Sequence, residues 1–265
     1  MTDKTTEKSD EWKTSITKIE PNRITIHGYA IDELMGNLSY SEMLYLILKG
    51  ELPTEDYGKM LDAILVSSVD HGVTPPSTLA ALTCVSTGGN LSQALACGIL
   101  SINKHHGGAV ENCQKLLIEG MKYRKRTGAS LRETAEKIVS DALSRGKKLP
   151  GLGHRIHSND PRTFRLFEIA ESLGFYGEYP RLMKEIEFAY KKVKKKHIPV
   201  NVDGAIASIL CELKFHPELG NAFFMIARLP GLIAHIFEEH KKQKPMRKIN
   251  PDNYTYDGPE YRPVP

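Results

Sequence analysis

Apolar residues along this chain follow a helical spacing almost throughout. Only residues 12–31 alternate apolar with polar positions, around a turn at Pro21-Asn22, and this alternation predicts one short β-hairpin. From Ser39 onward, apolar residues recur every three or four positions in segments separated by glycine and proline, which predicts a series of amphipathic helices. The pattern indicates a mainly α protein, preceded by a flexible arm at residues 1–11.

Several of the predicted helices have recognisable first residues. The segments 39–42 and 130–133 are capping boxes, in which a serine is followed three residues later by a glutamate. Asp160-Pro161 is a further helix start, with Asp160 as the N-cap and Pro161 as the first helical residue. Arg162 would then project from the first turn, where a cation opposes the helix dipole. That placement is expected if an anion occupies the site.

The most apolar segment of the chain spans residues 221–240. Arg228 and Pro230-Gly231 interrupt it, so the segment is too short and too polar to cross a bilayer. A buried guanidinium needs an anionic partner. The sequence leaves open whether a protein carboxylate or a ligand supplies that partner.

Composition narrows the class of protein further. With 265 residues the chain is long enough for one large domain or two closely joined ones, and its net charge of +4 is too small to indicate nucleic acid as the main partner. The four cysteines show neither a Cys-x-x-Cys pair nor metal-ligand spacing with histidine, so reduced thiols and no metal site are expected. The polar N-terminal residues lack the apolar stretch of a secretory signal, which favours a cytoplasmic location.

Three polar residues stand beside glycines at predicted loops or helix starts. Two imidazoles and one carboxylate are sufficient for reversible proton removal next to a carbonyl: the carboxylate exchanges a proton with carbon, and the imidazoles serve the enolate oxygen and the alcohol or ketone oxygen. A simpler interpretation also stays open, in which the histidines are structural and the carboxylate is only an N-cap. The three are His106 before Gly107-Gly108, His154 after Gly151-Leu152-Gly153, and Asp203 before Gly204.

Other residues are candidates for holding an anionic ligand. Arg162 and Arg228 are suited to bidentate binding of substrate carboxylates, and His71 adds a polar contact. The glycines of segment 151–153 leave the backbone bare enough for a small molecule to approach. The lysine-rich segment 191–196 is expected to be a solvated helix end, with contact to nucleotide phosphates as the second interpretation.

Five segments resemble the citrate synthase superfamily in their order and spacing. Each motif alone is weak, but the ordered set is specific, and with GYAIDEL and YLILKGELPT near the start it covers about residues 24–262. The segments are DHGVTPPST (70–78), HHGGA (105–109), PGLGHRIHSNDPR (150–162), NVDG (201–204) and the apolar helix around Arg228.

This resemblance implies a mainly α, citrate synthase-like fold with a large and a small helical domain and an intertwined dimer. The large domain would comprise residues 12–106 and 216–265, and the small domain residues 107–215. The resemblance also implies roles for the candidate residues. His106, His154 and Asp203 match the catalytic trio, His71, Arg162 and Arg228 match positions that hold the dicarboxylate, and Gly151, Leu152 and Gly153 match the backbone that receives coenzyme A.

The chain also departs from the family's synthases in ways that shift the expected activity. It is much shorter, and the tail arginine that reaches into the partner's site is missing, or is replaced by Arg247 or Arg262. The compact length is similar to stand-alone citryl-CoA lyases and to the citrate synthase-like module of ATP-citrate lyase. The expected reaction is therefore cleavage of citryl-CoA to acetyl-CoA and oxaloacetate.

Two alternatives to the lyase remain. One is a short citrate or 2-methylcitrate synthase, and the other is a non-catalytic CoA-binding scaffold subunit. The expected partners are citryl-CoA, acetyl-CoA and oxaloacetate, a second copy of the chain or a higher homo-oligomer, and a citryl-CoA synthetase, without nucleic acid or membrane. The coenzyme A thioester would be a substrate, and no prosthetic group is expected.

Overall fold

A small antiparallel sheet lies near the start of the described residues. The computed structural model describes residues 12–153, 160–247, 257–258 and 262–263. Strands β1 (Thr17–Glu20), β2 (Arg23–Ile26) and β3 (Tyr29–Ala30) pair in the order β1-β2-β3. The predicted hairpin is confirmed, and a second tight turn adds the third strand: His27 and Gly28 both take a positive φ there.

Helices make up most of the remaining described residues. They are α1 (Ile31–Leu34), α2 (Tyr40–Lys49), α3 (Glu55–Ser67), α4 (Pro76–Ser86), α5 (Leu91–Leu100), α6 (Ala109–Thr127), α7 (Leu131–Ser144), α8 (Pro161–Ser172), α9 (Glu178–Lys194), α10 (Val202–Glu212) and α11 (Gly220–Lys242), with one 3-10 turn at Pro217–Leu219. The fold class predicted from the apolar spacing is confirmed.

Helix boundaries with a local chemical signal agree with the prediction. Both predicted capping boxes form, at the first turns of α2 and α7. In the first of these, the Glu42 N–H donates to Ser39 Oγ at 3.2 Å, and the Ser39 N–H donates to Glu42 Oε2 at 2.7 Å. Asp160 caps α8, with Pro161 as its first residue. These signals work because each satisfies backbone N–H groups that the helix itself leaves unpaired.

Helix α11 continues through Pro230, where the sequence suggested an interruption. A proline inside a helix costs about 3 kcal/mol, because it removes a hydrogen bond and crowds the preceding turn. Phe223 and Leu232, on either side, are almost fully buried, and each such side chain contributes roughly 1.5–3 kcal/mol. Packing on both sides of the proline therefore outweighs its local cost.

Two apolar clusters form the interior. The larger one surrounds α10, which packs against α6, α8 and α9 and buries all of its residues except Asp203 and Glu212. The smaller one joins α4, α5 and α11 through Ala81, Ala94 and Leu232. Asp203 thus lies at the accessible end of a helix that is otherwise part of the main core.

Among the described helices, residues Pro217–Lys242 alone are long and apolar enough to cross a membrane by length and composition. However, 44% of the most apolar stretch is buried inside the protein. The segment packs against α3 to α6 and buries Arg228 within it. This burial is the pattern of a core helix.

Candidate functional site

One cavity brings together most of the residues singled out in the sequence. It has a volume of about 370 Å³ and lies between the loop before α4, the turn before α6, and the starts of α8 and α10, with α11 along one wall. Of the nine predicted site residues, His154 lies outside the described residues, and Gly151 and Leu152 lie next to the cavity wall. The remaining six line the cavity: His71, His106, Gly153, Arg162, Asp203 and Arg228.

Asn201 joins the glycine loop (residues 151–153) to the start of α10. Its side chain accepts a hydrogen bond from the Gly204 N–H at 3.0 Å and donates to the Gly153 carbonyl at 2.7 Å. Its backbone N–H donates to the Gly151 carbonyl at 3.0 Å. The N-cap of α10 is therefore Asn201, and the suggestion that Asp203 serves as the cap is wrong. Asp203 is the second residue of the helix, so capping does not occupy its carboxylate.

Two glycines allow the loop and α10 to meet backbone to backbone. Gly151 has a φ of +84°, and a Cβ there would lie 2.8 Å from Gly204 Cα and from Cys113 Sγ. A Cβ on Gly204 would lie 2.5 Å from the Gly151 carbonyl oxygen. Gly151 is buried, so its structural effect is to set this close approach, and its contact with coenzyme A stays a prediction. Gly153 is the loop glycine that reaches the cavity.

The carboxyl group of Asp203 has the electrostatics of a proton-transfer group. Burial raises the pKa of Asp203 to about 6, and the negative charge of Asp160 adds to that effect. The guanidinium groups of Arg162 and Arg228 act in the opposite direction. A carboxyl group that titrates close to neutral pH can donate and accept a proton under the same conditions.

His106 is held by a buried hydroxyl group at the start of α4. Its Nε2 and the Ser77 Oγ are 2.8 Å apart, and Ser77 is fully buried. The Phe224 ring meets the imidazole edge to face, with 5.7 Å between ring centroids. These contacts fix the orientation of the imidazole in the cavity wall.

Arg228 is a buried cation that faces the cavity. Its Nε donates to the Ser68 carbonyl at 3.0 Å, and its guanidinium lies 4.9 Å from the centroid of the Phe224 ring. Its Nη1 is buried and, within the described residues, has no hydrogen-bond partner. Burial lowers the pKa of Arg228, while Asp70 and Asp203 act in the opposite direction. An unsatisfied donor on a buried guanidinium is the feature expected of an anion-binding residue.

Arg162 has a different environment, because protein oxygens already surround it. Nε and Nη2 donate to the two carboxylate oxygens of Asp160, at 3.0 and 2.8 Å, and Nη1 is 3.4 Å from the Ser67 carbonyl oxygen. The Asp160 side chain is fully buried. Asp160, two residues earlier, is thus one anionic partner of Arg162, and the contact of Arg162 with a substrate carboxylate stays a prediction.

Residues 68–72, which include His71, contact α11 at neighbouring positions. His235 Nε2 and Asp70 Oδ1 are 3.1 Å apart, and the Gly72 N–H donates to Asp70 Oδ2 at 3.0 Å. A Cβ on Gly231 would clash with the Val69 carbonyl oxygen and lie 2.9 Å from Asp70 Oδ1. Burial alone would raise the pKa of Asp70, but the backbone N–H groups of Gly72 and His71 and the His235 ring hold it below its ordinary value.

Sequence reasoning missed the residues that hold the site in place. Four residues contribute to the site through hydrogen bonds that position other residues, and only the three-dimensional contacts reveal them: Ser77, Asn201, Asp70 and His235. Lys104 also lines the cavity and was missed. A signal for it existed, since it stands two positions before His106 in the same glycine-terminated turn.

A second cavity, of about 600 Å³, lies between α6 and α7. It ends at Pro150, next to the glycine loop, and six cationic side chains line it: Lys115, Arg126, Lys137, Arg145, Lys147 and Lys148.

The lysine-rich segment 191–196 lines neither of these cavities, and Lys192 pairs with Glu136. Arg247 pairs with Glu239 and, through its backbone, contacts Ser86, at the end of α4 opposite to Ser77.

Comparisons with known proteins agree with this geometry. Residues 54–249 match the family model described as "Citrate synthase, C-terminal domain". The citrate/2-methylcitrate synthase of Bacillus subtilis is 30% identical over 229 residues, which cover 85% of this chain and 58% of that protein. The chain thus spans little more than half the length of this curated relative.

Solved structures match over the whole chain. The citryl-CoA lyase of Hydrogenobacter thermophilus is 41% identical, with a TM-score of 0.88 and coverage of 96% of this chain and 97% of that one. The ATP citrate lyase of Methanosaeta concilii, a structure in complex with (3S)-citryl-CoA, shares the fold at 20% identity, with a TM-score of 0.81 over 96% of this chain and 43% of that one. On the family match over residues 54–249, the chain belongs to the citrate synthase family.

Proposed function

We propose that this protein is a citryl-CoA lyase, which cleaves citryl-CoA to acetyl-CoA and oxaloacetate. The observation that carries the proposal is the shared cavity. In it Asp203, an acid with a pKa of about 6, lies with His106 and with Arg228, whose Nη1 has no hydrogen-bond partner in the described part of the chain. End-to-end similarity to a citryl-CoA lyase, at 41% identity, supports the lyase over the longer synthases.

The proposed reaction is a reverse aldol cleavage. A base removes the proton of the C3 hydroxyl, the bond between C2 and C3 breaks, and its electron pair forms the enolate of acetyl-CoA. His106 stabilises the enolate oxygen, and Asp203 returns a proton to the methyl carbon. His154 is the predicted base, and it lies outside the described residues. No thioester hydrolysis takes place, so the coenzyme A stays acylated.

The larger cavity between α6 and α7 suits the other end of the substrate. Coenzyme A carries a diphosphate and a 3′-phosphate, which cationic side chains bind well. Among the described residues, six cationic and two acidic side chains line this cavity, the acids being Glu119 and Asp141. Because the cavity reaches Pro150, a ligand that lies along it meets the glycine loop next. This arrangement supports a coenzyme A thioester as the substrate.

A homodimer is part of the proposal. The helices α4, α5 and α11 pack together, yet they expose several large apolar side chains: Leu79, Leu91, Leu100, Ile233 and Phe237. Leu100 is 78% exposed and Phe237 is 62% exposed. Exposed apolar side chains on packed core helices favour contact with a second copy of the chain. The citryl-CoA synthetase expected as a partner would supply the citryl-CoA.

The second candidate is a short synthase that condenses an acyl-CoA with oxaloacetate. Similarity to the citrate/2-methylcitrate synthase favours it, since both reactions use the same bond and the same acid and base groups. The two differ in the fate of the thioester, because a synthase hydrolyses it and a lyase preserves it. A scaffold subunit, the third candidate, would carry out neither reaction.

A product assay with purified protein separates the three functions. With citryl-CoA, a lyase releases oxaloacetate, which malate dehydrogenase and NADH detect, together with an equal amount of acetyl-CoA. A synthase instead releases free thiol and citrate, and it also forms free thiol from acetyl-CoA and oxaloacetate. The Asp203→Asn variant is the control, because it keeps the shape of the side chain and removes the acid. The proposal fails if the wild-type protein forms no oxaloacetate from citryl-CoA.

A further inference from the structure

The glycine loop lies against residues 198–201, here called the supporting segment. The Gly153 N–H donates to the Pro199 carbonyl at 2.8 Å, and Leu152 forms an antiparallel bridge with Val200. The N-cap of α10, which is the last residue of the supporting segment, adds the hydrogen bonds to the loop described above. The position of the glycine loop therefore depends on where the supporting segment lies.

The two ends of the supporting segment are held in different ways. Its C-terminal end continues directly into α10, a helix of the main core. Its N-terminal end follows a reversal of the chain at Lys195, the C-cap of α9, whose φ is +50°. His197 then reaches back to Glu187, about two turns before the end of α9, where its Nε2–H donates to Glu187 Oε1 at 2.7 Å. This hydrogen bond joins the start of the supporting segment to α9.

Glu187 is a buried acid for which the proposed reaction has no use. Its side chain is 6% exposed, and Lys184 pairs with the carboxylate oxygen that His197 does not contact. A buried carboxylate needs such partners, because burial without them leaves its charge uncompensated. The residues from Lys191 to His197 are exposed, so the pair links a fixed point inside the protein to an exposed stretch of chain.

We infer that Glu187 is a positioning residue, which acts through His197 to keep the glycine loop in the arrangement that binds coenzyme A. This inference rests on the proposed function, in which the loop meets the coenzyme A end of citryl-CoA. Loss of the pair frees the start of the supporting segment from α9, so the loop is in place in a smaller share of the molecules. The apparent affinity for coenzyme A falls in proportion to that share.

The inference separates the two ends of the substrate. The predicted contacts with oxaloacetate belong to α8, to α11 and to residues 68–72, whereas the pair of Glu187 and His197 acts on the glycine loop. Binding of oxaloacetate should therefore be independent of the pair. Once citryl-CoA is bound, the loop is in place in every molecule, so the effect should lie in KM, with kcat preserved.

The test removes each partner of the pair in turn. His197→Leu deletes the donor, Glu187→Met deletes the acceptor, and the double variant shows whether the two act as one unit. His197→Gln keeps an N–H donor at a similar reach. His216→Leu is the matched control, because His216 is an exposed histidine that lies 3.7 Å from a glutamate, Glu218, and lines neither cavity. Calorimetry measures the Kd of coenzyme A and of oxaloacetate, and steady-state assays give kcat and KM for citryl-CoA.

For His197→Leu we expect about a tenfold rise in the coenzyme A Kd and in the citryl-CoA KM, since a charge-assisted hydrogen bond is lost. The oxaloacetate Kd and kcat should stay within about twofold of the wild type. Glu187→Met and the double variant should show the same rise as His197→Leu. His197→Gln should recover most of the affinity, and His216→Leu should bind coenzyme A as the wild type does.

Three results would overturn the inference while leaving the lyase in place. One is an unchanged coenzyme A Kd in His197→Leu, and another is an equal loss of coenzyme A and oxaloacetate binding, which indicates a general change in the fold. The third is a loss in His197→Leu without one in Glu187→Met, which shows that His197 contacts coenzyme A itself. Wild-type protein that neither binds coenzyme A nor cleaves citryl-CoA overturns the proposed function and the inference together.

Discussion

His235 Nε2 lies 3.1 Å from Asp70 Oδ1, one helical turn beyond Gly231, where α11 reaches the chain segment that precedes His71. Arg228, one turn earlier, donates to the Ser68 carbonyl. Three successive turns of α11 therefore contact residues 68–72, and these residues place His71 in the cavity lining. Substrate affinity should depend on these contacts as well as on the residues that touch the ligand.

Gly231→Ala tests this coupling. The added methyl group would clash with the Val69 carbonyl oxygen, so the segment must move away from α11. We expect a loss of about 1–3 kcal/mol in the free energy of unfolding and a several-fold rise in the citryl-CoA KM. Chemical denaturation and steady-state kinetics measure the two effects.

Gly58→Ala is the matched control for that substitution. It also adds a methyl group inside a helix, but the nearest atoms belong to the Glu42 side chain, and Gly58 lines neither of the two cavities. Its KM should equal that of the wild type. If both alanine variants show the same KM, the contact at Gly231 has no part in substrate binding.

Ser77→Ala should lower kcat by about fivefold, since one neutral hydrogen bond is worth roughly 1 kcal/mol and its loss releases the His106 ring. The citryl-CoA KM should change little. Thr78→Val provides the comparison, because the neighbouring hydroxyl of Thr78 is buried and has no hydrogen-bond partner within the described residues. Equal kcat values for the two variants would remove Ser77 from the catalytic arrangement.

The pH dependence of cleavage should reflect the protonation of Asp203. In the proposed reaction Asp203 returns a proton to carbon, so cleavage would require the neutral acid, and burial raises the pKa of Asp203 to about 6. We expect kcat/KM for citryl-CoA to decline on the alkaline side of an apparent pKa near this value, which belongs to the coupled groups of the site as a whole. A rate that rises steadily from pH 5 to pH 9 would contradict this role.

The same ionisation should affect stability in a defined direction. The folded-state pKa of Asp203 lies above that of an exposed aspartate, so the folded protein favours the protonated form. Its ionisation destabilises the fold increasingly from about pH 4 to above pH 6. At pH 8, Asp203→Asn should therefore be more stable than the wild type by about 3 kcal/mol and unfold at a higher temperature. At pH 4 the two proteins should unfold at similar temperatures. Differential scanning calorimetry at both pH values decides the point.

Disruption of the proposed dimer provides a further test. Phe237→Glu and Leu100→Glu place charges among the exposed apolar side chains of α11 and α5. We expect both variants to sediment as folded monomers in analytical ultracentrifugation. Phe188→Glu, on the exposed surface of α9, should leave the sedimentation of the wild type unchanged. A wild-type protein that sediments as a monomer would rule out the dimer.

The sequence predicted those parts of the molecule that depend on local chemistry. The capping boxes and the helix start at Asp160-Pro161 are satisfied by neighbouring backbone groups, so their outcome needs no knowledge of distant residues. The sequence singled out His106 and Asp203 because each precedes a glycine, and both line the same cavity.

Features that depend on contacts distant in sequence were not predictable. Asn201 became the cap of α10 because its amide group also reaches Gly153, 48 residues earlier in the chain. The pairing of His235 with Asp70 likewise joins residues 165 positions apart. Alternation and helical periodicity carry no information on either contact.

The bare backbone contact between Gly151 and Gly204 limits how this site could be redesigned. Since no side chain separates them, we expect the glycine loop and the start of α10, which carries Asp203, to move together in any opening of the cavity. Room for a bulkier acyl chain cannot come from this wall. Engineering of a different thioester specificity would have to start elsewhere in the cavity lining, for example at Phe224 on α11.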